Sequence, residues 1–343
     1  MTPVQSGIHY APPHPDFECL FIRISCAKIR IMADPLSDIL QLVDARCSMS
    51  GGFRAGTRWS LRYPPPTQIK FCAMMKGHGW FMLEDGATPV ELDTGDVVLI
   101  NSGKPFVLTS DPTLDPIDAT TIFARKVDGI TRYDDGDDTF ILGGHVTLDE
   151  TRGHLLRDVL PPALHVSAAS SEAAILRGHL QQLVGEIAER QPGSALASAN
   201  LAQLMFVQML RAHLESNDRL VSGWLQALAD GRIAPTLRLM HGDPGRNWGL
   251  EELAREANMS RTTFAERFKQ VVGMAPLAYL TRWRMYLAER ALIEEDMPIA
   301  RLASSLGYTS ESAFSNAFKR TMGMAPKRYR SRAKPAVAVL DAI

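Results

Sequence analysis

Towards the end of the chain the apolar positions fall at helical intervals, and they do so twice. Leu250, Leu253, Ala254 and Ala257 form one stripe, and Leu302, Ala303 and Leu306 form another about fifty residues later. A turn follows each stripe. Met259 ends the first helix and Gly307 breaks the second, and Ser260 and Ser310 are good N-caps for the helices that follow. Those helices carry phenylalanines four apart, Phe264/Phe268 and Phe314/Phe318, which anchor each to the helix before it. Gly273-Met-Ala-Pro276 and Gly323-Met-Ala-Pro326 close the two units, since proline ends a helix and restricts the residue before it. From Ser to Tyr279 or Tyr329 the copies stay in register, with one extra residue just before Ser310. The repeated unit is a helix, a short turn and a second helix. Between the copies, Tyr279 to Ile293 predicts one amphipathic helix that fixes their spacing.

Upstream the periodicity changes. Residues 33–125 hold short apolar runs at Trp59–Tyr63, Ile69–Met74, Gly79–Leu83, Val90–Leu92, Asp96–Ile100 and Phe106–Leu108. Spacing of about ten residues with Gly, Pro and Asp turns predicts a barrel or sandwich. Residues 150–245 return to helical spacing, with stripes at Ile175–Ile187 and Leu201–Leu210. The second of these is apolar on most faces and so needs several partners. It is either an ordinary core helix or one held between the barrel and a second subunit. The expected organisation is an extension over 1–31, a barrel over 32–145, a helical connector over 146–240, a two-unit helical domain over 241–332 and a tail over 333–343. Residues 1–31 hold Pro12, Pro13 and Pro15 and two cysteines ahead of Met32. They read either as an extension, with translation starting at Met32 rather than Met1, or as an edge strand through Leu20–Ile31.

The anchored helices leave one face free. In the first unit it carries Arg261, Thr262, Ala265, Glu266 and Lys269; in the second, Glu311, Ser312, Ser315, Asn316 and Lys319. From Arg246 to Lys334 there are 16 Lys/Arg and 9 Asp/Glu, a net of +7, whereas the chain totals −1 and its remainder therefore −8. A basic C-terminal domain on an acidic partner suggests nucleic-acid binding by that half. Lys327, Arg328, Arg330, Arg332 and Lys334 form a candidate phosphate-contacting strip or a solvated tail. The expected partner is double-stranded DNA, read in two adjacent major grooves about 34 Å apart.

Residues 246–332 resemble the DNA-binding domain of the AraC/XylS family of bacterial transcription regulators. The second copy carries the resemblance most fully, through Ala303, Leu306-Gly-Tyr308, Ser310, Ser312, Phe314, Phe318-Lys-Arg320, Gly323, Pro326 and Tyr329-Arg330. The resemblance implies seven helices, a central linker helix and base contacts from Arg261, Thr262, Ala265, Glu266, Glu311, Ser312, Ser315 and Asn316. Glu266 departs from the pattern, where a long polar or basic residue is commoner. It either accepts a hydrogen bond from cytosine or pairs with Arg261 or Arg267 away from DNA.

The Gly95-Asp96 turn feeding an apolar strand resembles the cupin fold. The order Asp34-Pro-Leu-Ser-Asp38, Trp59, Phe71, Gly95-Asp96 and Pro105 resembles the cupin sensor domain joined to some of these regulators. The fold class is α+β multidomain: an N-terminal cupin-like β-barrel, a helical connector and a C-terminal all-α domain with two helix-turn-helix units. Cupin enzymes hold a metal with several His and a Glu; here His78, beside Trp80, has no partner at metal spacing, so no metal or cofactor is expected. No CxxC pair occurs among Cys19, Cys26, Cys47 and Cys72. Cys72 reads as a buried apolar residue and Cys47 as exposed at a helix-to-loop junction; a redox pair between them needs geometry that spacing does not provide. His241, beside a Gly-Asp-Pro turn, reads as a packing or capping residue.

No stretch is long and apolar enough to span a membrane, and the N-terminus lacks a signal-peptide core, so a cytoplasmic protein is expected. These readings converge on a non-enzymatic, DNA-binding transcription regulator. Its barrel senses an unknown small molecule or stress, with Cys47, Cys72, His78 and Trp80 as candidate sensor residues. The resemblance implies an activator, hence RNA polymerase as a further partner, and the connector implies a homodimer. The alternatives are a DNA-binding protein whose barrel only dimerises and a cupin enzyme fused to a DNA-binding domain.

Overall fold

The computed structural model describes residues 34–124, 129–170, 173–189, 191–216 and 222–333. The extension over 1–31, Cys19, Cys26 and the tail from Lys334 lie outside the described residues. The chain opens on helix α1 (Pro35–Leu42). Pro35 sits in its first turn, and the Asp34 carboxylate accepts from the Leu36 amide at 3.3 Å.

Eleven strands follow among the described residues. They are β1 (Arg46–Ala55), β2 (Ser60–Tyr63), β3 (Ile69–Lys76), β4 (His78–Leu83), β5 (Val90–Asp93), β6 (Val97–Ile100), β7 (Phe106–Thr109), β8 (Ile117–Asp118), β9 (Ile130–Arg132), β10 (Thr139–Thr147) and β11 (Ala163–Val166). Helix α2 (Ala119–Phe123) follows β8, and helix α3 (His154–Arg157) precedes β11. The strands form two sheets, in the orders β11-β6-β3-β10-β1-β9 and β5-β4-β7-β2-β8. Phe53, Trp59, Leu61, Met74, Phe81, Val98, Phe106 and Ile141 fill the space between them. The domain is cupin-like, but its sheets share no hydrogen-bonded strand pair among the described residues, so the expected closed barrel is an open two-sheet stack. The sheet also outlasts its expected end at 145. β10 runs to Thr147, and β11 lies inside the stretch read as helical. The Gly95-Asp96 turn explains how β11 is held. Gly95 takes φ +99°, and the buried Asp96 carboxylate accepts from the Ala168 amide at 2.6 Å and pairs with His165 at 2.8 Å.

The other face of the larger sheet is covered by the connector helices α4 (Ala173–Glu189) and α5 (Ser194–Glu215), packed against each other. α5 lies on β1, and its Gln203 accepts from the Cys47 amide at 3.1 Å. Met205, Phe206, Met209 and Leu210 are fully buried there, so most of this apolar helix is core; Leu204 and Leu196 remain exposed. Helix α6 (Trp224–Ala229) leads into seven further helices: α7 (Ala234–Gly242), α8 (Leu250–Glu256), α9 (Arg261–Val272), α10 (Pro276–Glu294), α11 (Ile299–Ser305), α12 (Glu311–Met322) and α13 (Pro326–Ala333). One apolar cluster runs from Phe71 and Leu99 in the sheet, through Leu180 and Phe206, to Trp283, Phe264 and Phe318.

Candidate nucleic-acid interface

The two helix-turn-helix units are α8–α9 and α11–α12, and equivalent residues build them. The left-handed turn residue is Asn258 (φ +53°) in the first and Gly307 (φ +80°) in the second. The turn thus lies one residue before Met259, at a residue type that tolerates this conformation. A Cβ on Gly307 would collide with the Gly245 carbonyl, so the second turn requires glycine. Ser260 Oγ accepts from the Thr263 amide at 3.2 Å and Ser310 Oγ from the Ala313 amide at 3.1 Å, the expected caps. Phe264 and Phe268 are fully buried with ring centroids 5.7 Å apart, and Tyr279 of α10 meets Phe268 edge-on. Phe314, Phe318 and Tyr329 repeat the arrangement. Gly273 and Gly323 end α9 and α12 in the left-handed region, and Pro276 and Pro326 start the next helices.

This anchoring leaves the free faces outward. Arg261, Thr262, Glu266 and Lys269 are exposed on α9 with Ala265 half-buried beside them; Glu311, Ser312, Asn316, Lys319 and Arg320 are exposed on α12 with Ser315 half-buried. Glu266 does not pair with Arg267, whose guanidinium reaches Asp230 at the end of α6 at 2.7 Å. The basic strip is a helix, α13, and it splits by face. Lys327 and Arg328 are exposed, but Arg330 is half-buried and donates to the Met297 carbonyl, so it clamps α13 to the loop before α11 instead of facing solvent. Tyr329 donates to the buried Glu289 of α10. α10 begins at Pro276, three residues before the expected start, and carries buried residues along its length.

His241, expected to pack or to cap a turn, also joins the domains. Fully buried, it stacks on Trp283 at 4.1 Å, bonds Tyr279 Oη at 2.8 Å through Nε2 and meets Asp38 of α1 at 3.2 Å through Nδ1. Burial lowers its pKa against the opposing pull of Asp38. No spacing rule links positions 38, 241 and 279.

The candidate sensor residues are not brought together. His78 is exposed on β4 and pairs with Asp93 of the neighbouring strand β5 at 3.1 Å, with Trp80 edge-on beside it; neither is among the residues lining the space between the sheets. Cys47 is buried, not exposed, on the connector side of the larger sheet. Cys72 lies on the side between the sheets. β10 separates their strands by about 10 Å, and Cys47 lies opposite Val146 but Cys72 opposite Gly143, three residues along, so they are too far apart for a disulfide without backbone movement. Burial raises the Cys47 thiol to about 12 and the Cys72 thiol to about 11, so neither is a ready thiolate. Among the described residues no three His, Cys, Asp or Glu side chains cluster as metal ligands, and no helix is long and apolar enough to cross a membrane.

Between the sheets lies a cavity of about 300 Å³, lined by Phe53, Tyr63, Cys72, Phe106, Phe123, Ile141 and the glycine pairs Gly51-Gly52 and Gly143-Gly144. The paired glycines were its one sequence signal.

A family model described as "Cupin" matches residues 34–215, and one described as "Helix-turn-helix domain" matches 253–332. A putative AraC-like transcription regulator of Streptomyces lividans is 42% identical over 280 residues, covering 82% of this chain and 92% of its own. The HTH-type transcriptional regulator AlkR of Acinetobacter baylyi is 33% identical over 70% of this chain and 80% of its own. Among solved structures, the DNA-binding domain of AdpA in complex with a target DNA is 32% identical over 29% of this chain and 89% of its own, with a TM-score of 0.28. With a cupin domain, two capped helix-turn-helix units and relatives aligned across both, the chain belongs to the AraC-like family of DNA-binding transcription regulators.

Proposed function

We propose that the protein lays α9 and α12 into two adjacent major grooves on one face of a duplex, with its cupin-like domain reporting a small-molecule effector to that interface. The observation that carries this is the pair of outward faces, Arg261, Thr262, Ala265, Glu266 and Lys269 with Glu311, Ser312, Ser315, Asn316 and Lys319, held on one frame by α10. Base reading falls to Arg261, Thr262, Glu266, Ser312 and Asn316, and phosphate contact to Lys269, Lys319, Arg320, Lys327 and Arg328. The effector acts by population shift, favouring the DNA-competent arrangement. The same reading makes the protein a cytoplasmic activator that meets RNA polymerase and carries out no catalysis. It works as a homodimer, which the exposed Leu196 and Leu204 on α5 support.

The test is quantitative footprinting on a mapped operator and on random DNA across a salt series. Asn316→Ala weakens specific binding by about 1–3 kcal/mol and barely changes binding to random DNA. Lys319→Ala weakens both and flattens the salt slope by about one unit. Equal losses on both DNAs for Asn316→Ala would remove it from the base-reading set.

A further inference from the structure

The cavity between the sheets has an apolar body and a polar mouth. Along the inner face of the larger sheet, Gly51, Gly143 and Cys72 stand side by side on β1, β10 and β3. Two of these positions have no side chain, so the floor is backbone and a thiol. Gly143 takes an ordinary φ, and a Cβ built there meets nothing nearer than 3.9 Å. The space above it is therefore open and is not demanded by close packing. Phe53, Phe106, Phe123 and Ile141 supply the walls. An apolar cavity of roughly 150 Å³ holds benzene, so about 300 Å³ accommodates one ring and a short substituent.

Two residues with polar ends, Lys70 and Tyr63, line this space. Lys70 Nζ lies 5.7 Å from the centre of the Tyr63 ring, at the rim, and has no carboxylate partner among the described residues. Its charge is felt by Cys72 and by His145, which is held by Ser50 at 3.0 Å. The Tyr63 hydroxyl has no hydrogen-bond partner among the described residues. Burial holds it protonated, so it is a donor. An uncharged guest filling the cavity would strip water from the Lys70 ammonium and give nothing back, which is costly for a charge. A cationic guest would add repulsion. A guest with an apolar body and one carboxylate replaces the lost water with a charge-assisted bond and gives Tyr63 an acceptor.

We propose that this cavity binds a small amphipathic anion, one ring or short chain bearing a carboxylate. Its body lies on Gly51 and Gly143 between Phe53, Phe106 and Ile141, and its carboxylate meets Lys70 and Tyr63. The assignment rests on the reading of the cupin-like domain as the sensor, and names the ligand class of that sensor.

The test uses the full-length protein and three near-isosteric probes: phenylacetate, ethylbenzene and 2-phenylethylamine. Titration calorimetry and thermal shift are run on wild type, Lys70→Gln, Gly143→Ala and Gly143→Leu. Phenylacetate binds wild type at least about tenfold tighter than either other probe, and Lys70→Gln closes most of that gap. Gly143→Leu fills the cavity and abolishes binding, and Gly143→Ala weakens it with the melting temperature preserved. If ethylbenzene or the amine binds wild type as well as phenylacetate does, and Gly143→Leu abolishes that binding, the anion assignment falls while the sensor reading stands. If no probe binds, or if binding survives both Gly143 variants and therefore lies elsewhere, the assignment falls together with this cavity's role as the sensor site.

Discussion

His241 shows how one side chain can hold two domains in a fixed relation. Its three neighbours come from α1 and α10, so breaking the contact between the domains leaves Asp38 and Tyr279 to be resolvated. Removing one partner of a buried hydrogen bond costs more than the bond contributes. The sign of its pH dependence follows from burial. In the fold the imidazole is held neutral, below its ordinary range, and unfolding returns it to about 6.5. Its contribution is complete above about 6.5 and is lost as pH falls below that value, because the unfolded chain then binds the extra proton. His241→Gln is expected to lower the melting temperature by a few degrees at pH 7.5. It should also flatten the wild-type decline between pH 7.5 and 5.5. Parallel melting-temperature curves for the two proteins would show that the titration lies elsewhere.

At the scale of elements, the helix-turn-helix units were legible because each rule is local. Stripes of period 3.6, Ser at the N-cap, paired phenylalanines and proline at the next start lie within a few residues of each other. β11 was not legible, since its four residues follow two prolines and its partner β6 lies about sixty residues earlier. The site divides the same way. The outward residues of α9 and α12 could be read from spacing, whereas Arg330 turned inward because a carbonyl on another loop, at Met297, accepts from it. Local construction also predicts the cost of local change. Gly307→Ala must place a Cβ against the Gly245 carbonyl at positive φ, so it costs more than about 1 kcal/mol. Ser310→Ala removes a cap at about 1 kcal/mol. Asn258→Gly, at the matching turn, changes stability little, because glycine adopts that conformation freely. Urea unfolding of the three variants checks the order; Asn258→Gly matching Gly307→Ala in cost would contradict it.

Across the molecule, the apolar cluster passes without a break from the larger sheet through α5 to the frame of α10. α5 touches both β1 and α6, and α6 touches α9, so the cavity and the first recognition helix share a chain of packed elements. A continuous core predicts cooperative unfolding. In calorimetry the described domains should melt as one transition, with calorimetric and van't Hoff enthalpies in agreement. Two resolved peaks would mean that the domains are held together less strongly than each holds itself.

The ion pair between Arg267 and Asp230 has no counterpart in the second repeat, where the matching position is the buried Ala317. The units are alike in shape but unequal in attachment: α9 is tethered to the connector, while α12 packs on α10, α11 and α13. If α9 and α12 read DNA as proposed, the two halves of an operator become different kinds of instruction. Base changes under α12 would set how much protein is resident at all times. Changes under α9 would set how far that residency moves when the signal arrives.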